Sequence, residues 1–196
     1  MACFVLSGLA LGLAPLLMPE SYSWVSNTTS ESAAQALEGA WLARLGFLIF
    51  GLAVLWLSAL AAESWGRVGS AFHRTFGILM LATAVFSHRP LALNASFDHT
   101  EDLLHSTATT VMGFAFAFGV LAVMVVSHRR STRKRVLDSI AIAASVVIPL
   151  GMVVWGDYAG MLQRLMFLVA YIWYGGEALF RPTVSIFSSV EGQSLR

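Results

Sequence analysis

The sequence predicts an all-α fold, a polytopic membrane bundle of about six transmembrane helices. Composition gives the first reason, because 57% of the 196 residues are hydrophobic and only 12% are charged, whereas soluble domains carry roughly 25% charged residues. Apolar stretches give the second, since six of them approach the roughly 20 residues that a helix needs to cross a bilayer. The third is the alternation of basic and acidic loops between those stretches. Together these features indicate that the bilayer solvates most of the chain.

The predicted spans form a single transmembrane domain over residues 1–196. No Lys or Arg precedes the apolar core of the short first span, so we expect a retained helix and not a cleaved signal peptide. The third span is also short, and it begins beside His73 and Arg74. The six spans have the approximate bounds 3–18, 40–62, 72–87, 103–127, 137–155 and 161–180.

The longest loop, residues 19–39, joins the first two spans. Ser30 suits a helix N-cap, and Gly39 suits a helix end. We therefore expect a short helix over residues 32–38, lying on the outer surface.

Basic residues predict the orientation. Arg67 and Arg74 follow the second span, the run 128–135 follows the fourth, and Arg181 and Arg196 lie at the C-terminus. Loops rich in Lys and Arg remain in the cytoplasm. Both termini are therefore expected inside and the acidic loops outside. The basic run either acts as a topological anchor alone or also contacts anionic lipid headgroups.

Two features stand out in the last two spans. Pro149 and Gly151 predict a kink in the fifth span. Glu177 lies four residues before Arg181, a spacing that favours an ion pair on one helix face.

The beginning of the fourth span carries the densest group of ionisable residues. On a helix, Asp98, Glu101, Asp102 and His105 share one face, and Asp102 lies next to His105. Ionisable groups at the membrane edge are costly to bury and mark a functional site. The sequence therefore predicts a polar site at the outer end of this span.

Three chemical roles suit that site. Asp102 could orient His105 as a general base, which makes these two residues the catalytic candidates. His99 and His105, with a carboxylate, could instead hold zinc or another divalent metal. The third alternative is that the charges only satisfy one another where the helix enters the membrane, since acids are common in the first turn of a helix. No cofactor is predicted, although this pattern allows a divalent metal.

Other polar residues are expected near the same end. The short loop between the third and fourth spans brings His88 close to His105. Arg44 opens the second span and Arg164 the sixth, and an unpaired Arg at the edge of the hydrocarbon is costly. We expect each Arg to pair with an acid, and the candidates are Glu31, Asp98, Asp102 and Asp157. The result would be either a ring of ion pairs or a cleft of converging charges.

Four motifs follow one another along nearly the whole chain. They are Ser30-Glu31 after the first span, Gly46-Phe47 with Gly51 in the second, Phe86-Ser87 with Pro90 after the third, and Leu104-His105 opening the fourth. In this order the chain resembles the DUF998 family of six-span prokaryotic membrane proteins. Family members often carry a His four residues before the Leu-His histidine, where this chain has Glu101. The resemblance implies a location in the bacterial inner (plasma) membrane and gives most weight to Ser30, Glu31 and His105. It implies no activity.

We therefore expect an inner-membrane protein with cytoplasmic termini and an outward-facing polar cleft that binds a lipid headgroup or a small polar ligand. Its expected partners are membrane lipids and not nucleic acid, and no oligomeric state or protein partner is predicted. The alternatives are an intramembrane hydrolase, with or without a metal, that acts on a lipid-like substrate, and a structural subunit of a membrane complex. The residues expected to line the cleft are Glu31, Arg44, His88, Asp98, Asp102, His105 and Arg164.

Overall fold

The computed structural model describes residues 1–92, 94–127 and 130–179. Within these residues the protein consists of six α-helices and contains no β-strand. The helices are α1 (Ala2–Leu13), α2 (Ala40–Leu60), α3 (Ala62–Val85), α4 (His99–Val126), α5 (Thr132–Val154) and α6 (Ala159–Leu179). The predicted all-α bundle is confirmed.

Four of the helices, α2 to α5, are long and apolar enough to cross a membrane. Helix α1 continues into a 3₁₀ turn, and the combined apolar segment Ala2–Leu17 is shorter. Large apolar side chains cover the outside of the bundle: Trp56 is 71% exposed and Val153 is 84% exposed. Such a surface indicates a membrane protein. That α1 and α6 also cross the bilayer stays a prediction.

Successive helices run in opposite directions, so the bundle has two distinct ends. We call the end that carries residues 14–39, 86–92, 94–98 and 155–158 the loop end, and the end that carries Ala61 and residues 127, 130 and 131 the basic end. Helix α1 begins and α6 finishes at the basic end. The prediction that both termini lie in the cytoplasm requires α1 to begin and α6 to end on the same side of the membrane. Residues 128, 129 and 180–196, which include Arg181 and Arg196, lie outside the described part of the chain.

Three helices begin earlier than the sequence predicts, because polar residues form their first turns. Helix α3 begins at Ala62, and Gly66 interrupts it with a φ of 68°, a left-handed conformation that glycine adopts without a steric cost. Asp98 caps α4 by accepting the backbone N–H groups of Thr100 and Glu101, at 2.8 and 3.1 Å. Ser131 caps α5 in the same way. Hydropathy alone marks only the apolar part of each helix.

The first loop contains only a 3₁₀ turn, Glu31–Ala33, so the predicted helix over residues 32–38 is wrong. Ala34 is extended, and Ala36 has a φ of 60°. The backbone of this segment bonds to other elements, since the N–H of Gln35 donates to the carbonyl oxygen of His88 over 2.8 Å. These tertiary hydrogen bonds replace the local ones that a helix would make.

An aromatic core joins α1, α2 and α6 in the middle of the bundle. The ring of Phe50 stacks on Tyr171 with centroids 4.4 Å apart and meets Phe4 edge-on at 5.9 Å. Tyr174 is fully buried beside them. Phe76 of α3 and Phe116 of α4 also pack against Tyr174, so this core joins α3 and α4 to the other three helices.

Candidate functional site

Arg44 and Arg164, at the loop end, bind backbone carbonyl groups where the sequence predicts acidic partners. Arg44 donates to the carbonyl oxygens of Ala33 and Ala34, both at 3.2 Å. Among the described residues, the ion pairs lie at the basic end. The expected ring of ion pairs is therefore absent from the described loop end, because carbonyl dipoles of the first loop stabilise the two guanidinium groups.

Arg164 holds the first loop against α6. Its Nη1 donates to the carbonyl oxygens of Trp24 and Asn27 at 2.8 and 2.9 Å, and its Nη2 donates to the Tyr22 hydroxyl at 2.7 Å. The guanidinium carbon lies 4.7 Å from the centroid of the Trp24 ring, within cation–π range. Burial raises the pKa of Tyr22, against the opposing effect of Arg164. Tyr22 is thus a neutral acceptor at physiological pH.

Two further side chains complete this attachment. Gln163 accepts the backbone N–H groups of Thr29 and Ser30 at 2.7 and 3.2 Å. Glu31 accepts the backbone N–H and the hydroxyl of Thr28 at 2.6 and 2.8 Å. The carboxylate of Glu31 is therefore used inside its own loop.

Other side chains predicted for the cleft, the acids and imidazoles near the start of α4, form hydrogen bonds with the backbone of the loop between α3 and α4. Asp102 accepts the backbone N–H of Arg89 at 2.8 Å, and the Nδ1–H of His88 donates to the carbonyl oxygen of Arg89 at 3.0 Å. Gln35 exchanges two hydrogen bonds with the backbone of Asp98, at 2.8 and 3.0 Å. These contacts join the first loop to the start of α4.

His105 is 1% exposed and lies on the inner side of α4. Its Nδ1–H donates to the carbonyl oxygen of Phe86 at 2.9 Å, and its ring centroid lies 5.6 Å from that of His88. A main-chain carbonyl therefore orients this imidazole, where the sequence predicts that Asp102 does. The buried Nε2 has no hydrogen-bond partner among the described residues.

The described residues contain no group of three or more His, Cys, Asp or Glu side chains that could hold a metal ion. His99 is exposed, and its ring lies 4.2 Å from that of Phe97. The sequence suggests His99 and His105 as a pair of metal ligands. In the structure the imidazole beside His105 is that of His88.

Next to this polar loop end, α2 to α6 surround a pocket of about 80 Å³, several times the roughly 10–15 Å³ that one water molecule needs. Its apolar wall includes Phe47, Met80, Met112, Phe116 and Phe167. Its polar lining consists of Ser30, Thr83, Thr109, Ser145 and Gln163. None of the described residues that line the pocket is charged. Sequence reasoning missed this pocket, because its walls come from five helices whose relative positions no local pattern encodes.

A buried cluster of charges, also missed, lies at the basic end. The side chains of Arg130 and Asp138 are 4% and 0% exposed. Arg130 bonds to Asp138 through Nε and Nη2 and to Glu177 at 3.1 Å, and Lys134 lies 3.2 Å from Glu177. Burial disfavours the charge of Arg130, but its hydrogen bond to Asp138 and the two negative charges prevail and raise its pKa.

Aromatic donors complete this cluster. Trp65 donates to Glu177 and Trp173 donates to Asp138, each over 2.8 Å. His73 stacks on Trp173 with centroids 4.7 Å apart and is hydrogen-bonded to the Tyr174 hydroxyl at 2.9 Å. The described partners of Glu177 thus lie on other elements, and its predicted partner Arg181 is outside the described residues. Two sequence signals point to the cluster: Glu177 near the end of the last span, and an isolated Asp138 in an otherwise apolar stretch.

The comparisons with known proteins give one result. The model of the DUF998 family, described as a protein of unknown function, matches residues 1–179. No curated protein and no solved structure shows significant similarity to the chain. Because the match extends through all six helices, the chain belongs to the DUF998 family.

Proposed function

We propose that the protein is an integral protein of the bacterial inner membrane that binds a lipid. A short part of the lipid next to its polar group would occupy the pocket that α2 to α6 surround, and the rest of its chain would extend out of the pocket. The observation that carries this proposal is the pocket itself, since its walls are apolar and uncharged while Ser30 and Gln163 lie at one end. Ligand sites are typically concave and mostly apolar, with a few polar groups that fix the orientation of the ligand.

The residues predicted to line a cleft form the hydrogen bonds that shape the loops next to this pocket. Arg44, Arg164 and Glu31 fold the first loop over the loop end through their carbonyl and N–H contacts. Asp98 and Asp102 shape the connection between α3 and α4. A small polar ligand or a lipid headgroup would then meet a rim whose charges are already bonded, and the apolar pocket would supply most of the binding free energy.

The proposed orientation follows from charge. The basic end carries Arg133, Lys134 and Arg135, and this end would face the cytoplasm because Lys and Arg are enriched in cytoplasmic loops. The loop end would then face outward. A cysteine introduced in place of Ser23, labelled from outside intact cells, tests this orientation.

Glycine substitutions test lipid binding. A Cβ at Gly113, which lines the pocket, would meet no heavy atom within 4 Å, and the same holds for Gly12 on α1. Gly113→Leu therefore fills the pocket without a backbone clash, while Gly12→Leu adds the same side chain away from it. Native mass spectrometry of the purified proteins should show a bound lipid in wild type and Gly12→Leu, and not in Gly113→Leu.

Equal lipid occupancy in all three proteins would refute the pocket as the site. The alternative functions predict different results. A hydrolase would convert the bound lipid, with turnover lost in His105→Ala. A structural subunit would hold no lipid and would lose solubility when separated from its partner.

A further inference from the structure

Three of the four hydroxyl groups that line the pocket, on Thr83, Thr109 and Ser145, donate their protons within their own helices. Thr83 donates to the carbonyl oxygen of Met80 at 2.8 Å, and Thr109 donates to that of Ser106 at 3.0 Å. Ser145 does the same within α5, to Ala141 at 2.7 Å. A hydroxyl has one proton and two acceptor lone pairs. Each of these side chains can therefore offer a ligand only an acceptor.

Helix α5 adds a fourth acceptor. Pro149 lies inside this helix and has no N–H, so the carbonyl group of Ser145, four residues earlier, lacks its helical donor. Ser145 and Pro149 both line the pocket. A carbonyl group that has lost its helical donor is free to accept a hydrogen bond from a ligand.

The pocket is also free of charge. In the described part of the chain, its lining residues include no Lys, Arg, His, Asp or Glu. A phosphate or carboxylate inside it would lose its hydration without gaining a counter-ion, which is strongly unfavourable in an apolar environment. An uncharged ligand that carries a hydrogen-bond donor suits this lining.

We propose that the pocket selects an uncharged lipid whose polar group is a hydroxyl, which donates its one proton to one of the acceptors that Thr83, Thr109 and Ser145 provide. This inference rests on the proposed function, because it specifies the chemical class of the lipid in the same pocket. It excludes a phosphorylated headgroup from the interior of the pocket.

Three probes with the same saturated chain separate the possible ligands. They are hexadecanol, hexadecyl methyl ether and hexadecyl phosphate, each titrated into the full-length protein and followed by native mass spectrometry. The ether keeps the oxygen of the alcohol and lacks its proton. The alcohol should bind about fivefold more tightly than the ether, which is the value of one ordinary hydrogen bond, and the phosphate more weakly than either.

Two variants connect the preference to the proposed acceptors. Thr109→Val removes one acceptor, and Pro149→Ala restores an N–H to the carbonyl group of Ser145. Each should lower the affinity ratio of alcohol to ether while the affinity for the ether is retained. Thr110→Val is the matched control, because Thr110 also donates to Ser106, at 2.8 Å, but is exposed on the outside of α4.

Each outcome is decisive. If alcohol and ether bind equally well to the wild-type protein, or if the phosphate binds most tightly, the selection for a hydroxyl is wrong while lipid binding stands. If the ratio falls as much in Thr110→Val as in Thr109→Val, the pocket acceptors do not cause it. If none of the three probes binds and Gly113→Leu changes nothing, the proposed function itself is wrong.

Discussion

His105 on α4 and Phe86 at the end of α3 are joined by a hydrogen bond of 2.9 Å from the imidazole Nδ1–H to the backbone carbonyl oxygen. Phe86 is the residue that ends α3, where carbonyl groups lose their helical donors. His105 supplies the missing donor from the neighbouring helix. The bond therefore stabilises the connection between α3 and α4. The loop in this connection also carries His88 and Arg89, whose backbone N–H donates to Asp102.

Substitution of His105 tests this fastening role. His105→Leu removes the donor and leaves the partly buried carbonyl of Phe86 without it, which should lower the free energy of unfolding by about 1–3 kcal/mol. His105→Asn places an amide N–H near the position of Nδ1 and should recover part of that loss. Thermal unfolding in detergent, followed by circular dichroism, measures both. Equal stability of the two variants would show that the hydrogen bond to Phe86 is not what stabilises the connection.

The buried charges at the basic end predict a larger effect. Asp138→Asn removes the carboxylate that faces Arg130 and leaves a buried guanidinium with one fewer charge partner. Breaking such a pair costs about 3–5 kcal/mol. Asp157→Asn is the control, because Asp157 is exposed at the loop end. Thermal unfolding should separate the two variants clearly, and matching transition temperatures would exclude a stabilising role for the cluster.

The number and order of the helices could be predicted from hydropathy, because a bilayer demands long apolar segments. The helix beginnings could not, since α3 and α4 begin with polar turns. Gly66 lies in the first turns of α3 with a left-handed backbone, and Asp98 caps α4. Composition reveals neither role.

The candidate site was predictable only as a location. Asp102 and His105 do lie at one end of α4, but each bonds to the backbone of the preceding loop. Local spacing predicts which side chains share a helix face. It does not predict that His105 donates to a carbonyl group at the end of α3 while Asp102, three residues away, accepts from Arg89. Asp138 was missed for the same reason, since its partners Arg130 and Trp173 come from other elements.

Close helix packing predicts the effect of a small substitution. A Cβ at Gly119 would lie 2.8 Å from Cε1 of His73, and the stacked aromatic rings around His73 leave it little room to move. Gly119→Ala should therefore destabilise the protein by about 1–3 kcal/mol, as overpacked cores do. Gly113→Ala, with open space at its Cβ, should be tolerated. If both alanine variants unfold at the same temperature, α3 and α4 are not in close contact at this point.

Tyr22 and Arg164 predict how the attachment of the first loop depends on pH. Burial raises the pKa of Tyr22 above 10.0 in the folded state, so folding favours the neutral hydroxyl. The stability that Tyr22 contributes is fully present below the unfolded pKa of about 10 and is lost as the pH rises through the higher folded pKa.

Tyr22→Phe isolates this contribution because phenylalanine keeps the ring and does not titrate. The difference in free energy of unfolding between wild type and Tyr22→Phe should be constant between about pH 7 and pH 9, and should shift in favour of the variant above about pH 10. Unfolding curves at each pH measure it. A shift in favour of the wild-type protein would mean that the charge of Arg164 stabilises an ionised Tyr22 by more than burial disfavours it.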